Sequence, residues 1–206
     1  ASYRRQRQMC IRDRGKEDRS RIAERYGTSD VERKEGKVIW FHAASIGESL
    51  SILPLLIKLN SDKSIDQIIL TTGTLTSANI LKSKLSKKII HQYIPFDIPS
   101  YVNKFLNHWN PSLAVFVESE IWPNFLTELK KRNINSLIVN GRMTIKSFKR
   151  WSILSGLSKR LFSNFSACCT QNSDSAFFYE KLGIKNTITV SYTHLTLPTI
   201  GGVGVA

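Results

Sequence analysis

Residues 38–48 read Val-Ile-Trp-Phe-His-Ala-Ala-Ser-Ile-Gly-Glu, and this run sets the architecture of the chain. Residues 38–43 are almost wholly apolar, which is typical of a strand buried on both faces of a parallel sheet. A short turn with serine and glycine follows, and apolar residues then recur at helical spacing as far as Leu59. We therefore predict a strand over residues 38–43 and a helix from about Glu48 to Leu59.

The same strand-then-helix pattern recurs along the chain. Further buried strands are predicted over residues 67–72, 89–94, 113–117, 136–140, 167–170 and 187–190. Further helices are predicted over residues 14–26, 76–85, 99–109, 122–132, 147–162 and 173–182. This alternation indicates an α/β fold, a Rossmann-like parallel sheet with helices on both faces. No Gly-x-Gly-x-x-Gly or Walker motif opens a helix, which disfavours a bound dinucleotide and a P-loop nucleotide.

The two ends of the chain differ in composition from the middle. Residues 1–13 contain four arginines and no apolar period, whereas residues 191–206 contain no Asp, Glu, Lys or Arg. Both resemble translated sequencing-adapter DNA, so we predict that both are non-native and that residues 14–190 form the domain. A native arm and tail is the alternative interpretation.

The chain is strongly basic, with 30 Lys and Arg against 16 Asp and Glu and a formal net charge of +14. A balance of this kind indicates an anionic partner: nucleic acid, a phosphorylated substrate or a membrane surface. The predicted helix over residues 147–162 carries basic residues on one face and apolar residues on the other. It suits a membrane surface, or it is a core helix with a solvated face. Three cysteines without metal-ligand spacing suggest a reducing compartment.

Three glutamates follow the predicted strands. Glu48 follows the first strand, and Glu118 and Glu120 follow the strand over residues 113–117. The carboxyl ends of the strands form the ligand crevice of an open α/β sheet, so all three are candidate catalytic residues. Glu48 suits a general base, or it stabilises the first turn of its helix through the macrodipole.

Glu118 and Glu120 lie two residues apart, so in an extended segment both side chains point to the same side. Two acids that share a crevice oppose each other's ionisation and hold different pKa values. The alternative is that one acid caps the helix that begins near Trp122 and the other pairs with a lysine. The residues alone favour neither interpretation.

Three further residues are candidates for substrate binding. Ser45 and Gly47 are small and let a ligand approach the backbone, and Arg142 follows a predicted strand end at the same edge. No His-x-x-x-His pair or Cys/His cluster is present, so no metal site is predicted. No nucleophile-elbow pattern surrounds a serine.

Several motifs, in order, resemble one family over about residues 14–190: the bacterial transferases of 3-deoxy-D-manno-octulosonic acid (Kdo). Residues 42–48 resemble the family's His-x-x-Ser-x-Gly-Glu, and residues 118–124 resemble its Glu-Thr-Glu-Leu-Trp-Pro-Asn. The shorter matches are residues 14–18, 24–27, 71–76, 93–97 and 140–142.

The resemblance implies a fold and an activity. The fold is the N-terminal, acceptor-binding half of a two-domain GT-B glycosyltransferase. The reaction is transfer of Kdo from CMP-Kdo to the lipid A precursor in lipopolysaccharide biosynthesis, with inversion and without a metal or other cofactor. Glu48 matches the family's proton acceptor, Glu118 matches a residue assigned to transition-state stabilisation, and Glu120 is a further candidate. Arg142 and the basic helix suit the phosphates of the acceptor.

The resemblance also implies partners and a location. The substrates are CMP-Kdo and the lipid A precursor, and the intact protein acts on the cytoplasmic face of the inner membrane. We expect no nucleic-acid partner and infer no protein partner. The alternative is a basic Rossmann-like binding module for nucleic acid or anionic membrane.

The chain departs from the family at both ends. Residues 1–13 stand where the family has a membrane helix. Residues 191–194 replace the family's Gly-x-Leu-Lys-Phe-Asp, after which a CMP-Kdo-binding domain follows. We therefore expect a fragment without a membrane anchor, without a donor-binding domain and without turnover.

Overall fold

Seven parallel strands form one sheet in the computed structural model of the chain, which describes residues 18–86 and 88–190. The spatial order is β3-β2-β1-β4-β5-β6-β7. The strands are β1 (Val38–His42), β2 (Gln67–Thr72), β3 (Ile89–Tyr93), β4 (Leu113–Val117), β5 (Asn135–Gly141), β6 (Ala167–Thr170) and β7 (Thr187–Thr189). The predicted α/β, Rossmann-like class is therefore confirmed. The proposals for residues 1–13 and 191–206 lie outside the described residues.

Helices connect successive strands, as a parallel sheet requires. A 3-10 helix, Arg19–Tyr26, precedes β1. The α-helices of the described residues are α1 (Ile46–Ser51), α2 (Leu53–Asn60), α3 (Leu75–Lys82), α4 (Pro99–Trp109), α5 (Pro123–Lys131), α6 (Ile145–Ser152), α7 (Ser155–Phe162) and α8 (Ser173–Leu182). None of the helices in the described residues is long and apolar enough to cross a bilayer.

Alternate residues of β1 enter two separate cores. Trp40 packs on one face against Phe105 of α4 and Phe125 of α5, with ring centroids 5.0 Å apart in both pairs. Phe41 belongs to the core on the other face, together with Leu56 of α2. Successive side chains of a strand point to opposite faces, so a run that is apolar throughout needs a helical layer on each side.

Two helices predicted as continuous are divided in the structure. The helix predicted from Glu48 to Leu59 is interrupted at Ile52, because Pro54 has no N–H to continue a helical ladder and instead lies in the first turn of α2. The helix predicted over residues 147–162 breaks at Leu154, whose φ of −106° and ψ of 49° are not helical. There the Trp151 carbonyl accepts hydrogen bonds from Leu154 N–H and from the Ser158 hydroxyl.

The segment predicted as a helix over residues 14–26 is described from residue 18 onward. It forms a 3-10 helix with a kink at Arg21. Gly27 ends it in the left-handed region, with φ at 82°. A Cβ at Gly27 would lie 2.2 Å from the Tyr101 carbonyl oxygen, so no other residue fits this close approach.

The order in which strands are added to the sheet reverses between β1 and β4. From β1 the chain builds outward through β2 to β3, and it then returns to pair β4 with the other side of β1. Ligands of open α/β sheets bind at such a switch point, beyond the carboxyl ends of the strands. Residues 43–48 follow β1 and residues 118–122 follow β4, so the two acidic segments lie at the switch point.

Candidate active site

Glu48 is held by three hydrogen bonds at the start of α1. Ser45 is the N-cap: its hydroxyl accepts the Glu48 main-chain N–H at 3.3 Å and donates to Glu48 Oε1 at 2.9 Å. The Ala44 main-chain N–H donates to Glu48 Oε2 at 2.7 Å. This is a variant of the capping box, in which a serine and a glutamate three residues later satisfy each other. The same hydrogen bonds cap the helix and fix the carboxylate. Glu48 can therefore stabilise the first turn of α1 and also be placed to act as a base.

The pKa of Glu48 is raised from 4.5 to about 7. Burial is the largest cause, and the negative charge of Glu120 is the next. The hydrogen bonds from Ala44 and Ser45 act in the opposite direction, and the charge of Glu118 adds to the increase. A carboxylate with a pKa near the operating pH is suited to accept a proton from a substrate hydroxyl.

Glu118 has a backbone conformation that is rare for its residue type. Its φ is +58°, and the other described residues with positive φ, glycine aside, are all asparagines: Asn110, Asn133 and Asn140. Asparagine tolerates this region, whereas most side chains enter it only at a cost. Two hydrogen bonds hold the residue: its N–H donates to Val139 O at 2.9 Å, and its carbonyl accepts from the Tyr179 hydroxyl at 3.3 Å.

Glu120 points toward the interior of the fold. Its side chain is 17% exposed, and Glu120 Oε2 accepts the Trp122 indole N–H at 2.9 Å. The same oxygen lies 3.5 Å from Nε2 of His42, which is fully buried. The predicted same-side placement of Glu118 and Glu120 assumed an extended segment, but the left-handed Glu118 interrupts it. Both charges nevertheless act on Glu48, so three carboxylates share this edge.

Comparison with known proteins identifies the family of the chain. Residues 20–194 match a family model described as 3-deoxy-D-manno-octulosonic-acid transferase (kdotransferase). The chain belongs to this family. A 3-deoxy-D-manno-octulosonic acid transferase of Rickettsia bellii is 38% identical over 173 residues, which cover 84% of this chain and 41% of the relative.

Two other relatives in the Kdo transferase family give the same result. A probable mitochondrial 3-deoxy-D-manno-octulosonic acid transferase of Arabidopsis thaliana is 39% identical over 155 residues, 74% of this chain and 35% of the relative. A 3-deoxy-D-manno-octulosonic acid transferase of Haemophilus influenzae is 32% identical over 166 residues, 80% of this chain and 39% of the relative. The chain therefore spans about two fifths or less of these relatives.

The two small residues predicted to bind substrate have different environments in this member of the family. The Ser45 hydroxyl is engaged with Glu48, so it positions that carboxylate. Gly47 is exposed, and a Cβ built on it would meet only the Ser45 hydroxyl oxygen, at 3.9 Å. Packing does not require this glycine, which leaves open space beside Glu48.

Arg142 follows β5, which pairs with β4 on the edge opposite β1. The β5–β6 register shifts between Ile138 and Gly141, and Asn140 is left-handed there, with φ at 55°. A bulge of this kind re-aims the residues that follow it. The Arg142 side chain is exposed, and its carbonyl accepts a hydrogen bond from the Ser119 hydroxyl. This bond joins Arg142 to the loop that carries Glu118 and Glu120.

Asp97 was given no role in the sequence analysis, but it caps α5. Its Oδ1 accepts the Phe125 N–H at 3.1 Å, and its Oδ2 accepts the Asn124 N–H at 3.2 Å. Trp122, at the N-cap position, makes no side-chain cap. Tryptophan cannot accept a hydrogen bond from the first N–H groups of α5. Its presence at the N-cap, just before Pro123, is therefore the sequence signal that another residue supplies the acceptor. Across the described residues, no group of three His, Cys, Asp or Glu side chains is arranged to hold a metal ion.

Proposed function

We infer that this chain is the acceptor-binding half of a GT-B glycosyltransferase that moves Kdo from CMP-Kdo to a hydroxyl of the lipid A precursor. The observation that carries the inference is Glu48, a fixed carboxylate at the switch point with its pKa raised to about 7. Membership of the Kdo transferase family supports the choice of sugar. Glycosyl transfer needs a base for the acceptor hydroxyl, and Glu48 is suited to that role.

The proposed step forms one bond and breaks one. The acceptor oxygen attacks the anomeric carbon of Kdo while its proton passes to Glu48. The bond from that carbon to the phosphate of CMP breaks, and CMP leaves with the electron pair. Attack from the face opposite the leaving group inverts the anomeric centre. Ala44 N–H and the Ser45 hydroxyl orient the carboxylate for this transfer.

Glu118 suits electrostatic stabilisation in the same step. The transition state of glycosyl transfer has oxocarbenium character, and a nearby carboxylate stabilises its positive charge. Glu118 lies at the end of β4 in a conformation that costs free energy, and such strain is commonly found at functional sites. Glu120 is less suited to touch the sugar, because Trp122 and His42 surround its Oε2.

The surface of α6 and α7 suits an anionic membrane that presents the acceptor. Four large apolar side chains are exposed there: Ile145, Ile153, Leu154 and Leu157, of which Ile153 is 80% and Leu157 64% exposed. The same two helices carry Lys146, Lys149, Arg150, Lys159 and Arg160. Apolar side chains that insert between basic ones favour binding at a lipid interface. Arg142 precedes α6 in the chain, and its carbonyl accepts a hydrogen bond from the loop that carries Glu118 and Glu120.

A chimera tests the proposed reaction. Residues 18–190 replace the matching segment of the Rickettsia bellii relative, which supplies the remainder of a full-length protein. We expect transfer from CMP-Kdo to the lipid A precursor, and we expect E48Q to lower kcat by about 10²–10⁴-fold, the usual contribution of a general base. Equal activity of the chimera that contains Glu48 and the chimera that carries E48Q would contradict the role of Glu48.

A basic binding module remains the second candidate, and the net charge of +14 favours it. Binding of the chain to duplex DNA and to vesicles of anionic lipid separates the transferase from a module for nucleic acid. The transferase proposal predicts that vesicles bind and that DNA binds only weakly. Tight binding to DNA that falls steeply with salt, without binding to vesicles, would favour the module.

A further inference from the structure

His42 is a fully buried imidazole at the last position of β1. Nδ1 lies 3.2 Å from the Thr71 carbonyl oxygen and 3.0 Å from the Thr71 hydroxyl oxygen. Nε2 has no hydrogen-bond partner within the described residues. A buried polar atom of this kind is costly unless a proton or a partner is supplied.

The surroundings of Nδ1 suit a proton on that nitrogen. The Thr71 carbonyl oxygen can only accept, and it accepts the Ala43 N–H at 3.0 Å, which leaves its second lone pair open to a proton on Nδ1. The Thr71 hydroxyl accepts from the Trp40 indole N–H at 2.9 Å and donates to the Phe41 carbonyl at 3.2 Å, which leaves its second lone pair to accept from Nδ1. Protonation of Nδ1 therefore satisfies every group in this network. With the proton on Nδ1, Nε2 of the neutral ring carries a lone pair and no hydrogen.

That lone pair faces a carboxylate. Glu120 Oε2 lies 3.5 Å from Nε2. The Trp122 indole N–H donates to the same oxygen, and the indole and imidazole ring centroids are 5.1 Å apart. A neutral Nε2 and an ionised Oε2 would place two lone pairs opposite each other in a buried space. Within the described residues, the ring contacts Thr71, Phe116, Trp122 and Glu120, of which Glu120 is the one acidic residue.

We propose that His42 and Glu120 together hold one proton between Nε2 and Oε2, and that His42 is thereby a positioning residue for the candidate active site. With the proton on nitrogen, the pair is an imidazolium and a carboxylate. With the proton on oxygen, both groups are neutral. In either form the positive charge of the shared proton offsets part of the negative charge that Glu120 presents to Glu48, and the remainder acts on the Glu48 carboxyl.

This role gives the pair a function in the reaction. Three bare carboxylates at one edge would resist ionisation of the one that acts as base. A proton held at His42 and Glu120 lets Glu48 ionise near neutral pH while Glu120 remains in place. The role of Glu48 in this inference rests on the proposed function. The shared proton does not, since it depends only on His42 and Glu120.

The first test is a direct one on the unmodified chain. Nitrogen-15 NMR of histidine-labelled protein distinguishes protonated from unprotonated ring nitrogens, and H42N assigns the signals. We expect a protonated Nδ1, and an Nε2 signal displaced from the unprotonated position at neutral pH. E120Q should return Nε2 to the unprotonated position. An unprotonated Nδ1, or an Nε2 signal that E120Q leaves unchanged, would overturn the proposal.

The second test measures Glu48 in matched variants by carbon-13 NMR. Asparagine at position 42 keeps a donor for the Thr71 carbonyl and removes the nitrogen that faces Glu120. H42N should raise the titration midpoint of Glu48 by about one pH unit, because Glu120 loses its positive partner, and E120Q should lower it. The double variant should behave as E120Q does.

The control for this series is H108N, since His108 lies on α4 and hydrogen-bonds Val31 O. It should leave the midpoint of Glu48 unchanged. An equal midpoint in the unmodified chain and in a folded H42N would contradict the proposal. Neither test measures sugar transfer, so an inactive chimera would refute the proposed function while leaving this result intact.

Discussion

Asp97 and Asn124 bond to each other across two strand–helix connections. Asp97 Oδ2 accepts the Asn124 main-chain N–H at 3.2 Å, and the Asp97 carbonyl accepts the Asn124 side-chain amide at 2.6 Å. The connection after β3 therefore fixes the start of α5. At the other end of the acidic loop, Glu118 N–H donates to Val139 O. The loop that carries Glu118 and Glu120 is thus held at both ends.

Removing this cap should destabilise the domain. D97A leaves the Asn124 and Phe125 N–H groups without their carboxylate, so we expect a loss of about 1–2 kcal/mol in the free energy of unfolding. D97N retains one acceptor oxygen and should lose less. Urea unfolding followed by circular dichroism measures both. A D97A variant as stable as the parent would show that water replaces the cap at no cost.

The ionisation of Glu48 should make stability depend on pH. The pKa of Glu48 is raised to about 7 in the fold, from 4.5. Its contribution to stability is therefore complete below pH 4.5 and is lost as the pH rises through 7. E48Q removes this titration. Relative to the parent, we expect E48Q to gain about 1–2 kcal/mol across this range, a figure reduced for partial exposure. A difference that does not vary with pH would contradict the raised pKa.

Relief of the strain at Glu118 should stabilise the chain. Asparagine tolerates a φ of +58° better than glutamate does, so E118N should gain about 0.5–1 kcal/mol in the free energy of unfolding. E118Q is the matched control, because it removes the charge and keeps the long side chain. Equal stability of E118N and E118Q in thermal unfolding would mean that the backbone at this position is not strained.

The apolar side chains on α7 and the adjoining break should carry binding to lipid. L154D and L157D should each weaken binding to anionic vesicles by about tenfold or more, since each removes the insertion of one leucine. Ile57 on α2 is 56% exposed, so I57D is a control of similar chemistry at another position. Vesicle co-sedimentation measures all three. A loss as large in I57D would show that charge alone controls binding.

The strands were predictable because most of them contain a short apolar run, such as Ile68–Leu70 in β2. Residues 67–72 and 113–117 match β2 and β4 to the residue, since a strand buried on both faces is mostly apolar, although Gln67, Thr71 and Thr72 are buried polar residues of β2. The helices were less predictable. Apolar spacing continues through Pro54 and through Leu154, and only the missing N–H of Pro54 and the non-helical ψ of Leu154 divide the helices.

The site was predictable in position and not in detail. That Glu48 and the acids after β4 share one edge follows from the parallel sheet. The inward turn of Glu120 does not, because it depends on the left-handed backbone of Glu118, and glutamate carries no signal for that conformation. The His42 network was equally hidden, since its partners on β2 are set by register rather than by sequence proximity.

The central claim is that Glu48 shares its edge of the sheet with other carboxylates and is tuned by them to accept a proton near neutral pH. Carbon-13 NMR titration of the Glu48 side-chain carboxyl in the unmodified chain tests it most directly. The predicted midpoint is about 7. A midpoint close to the ordinary 4.5 would contradict the claim, since neither burial nor neighbouring charge would then act on this group.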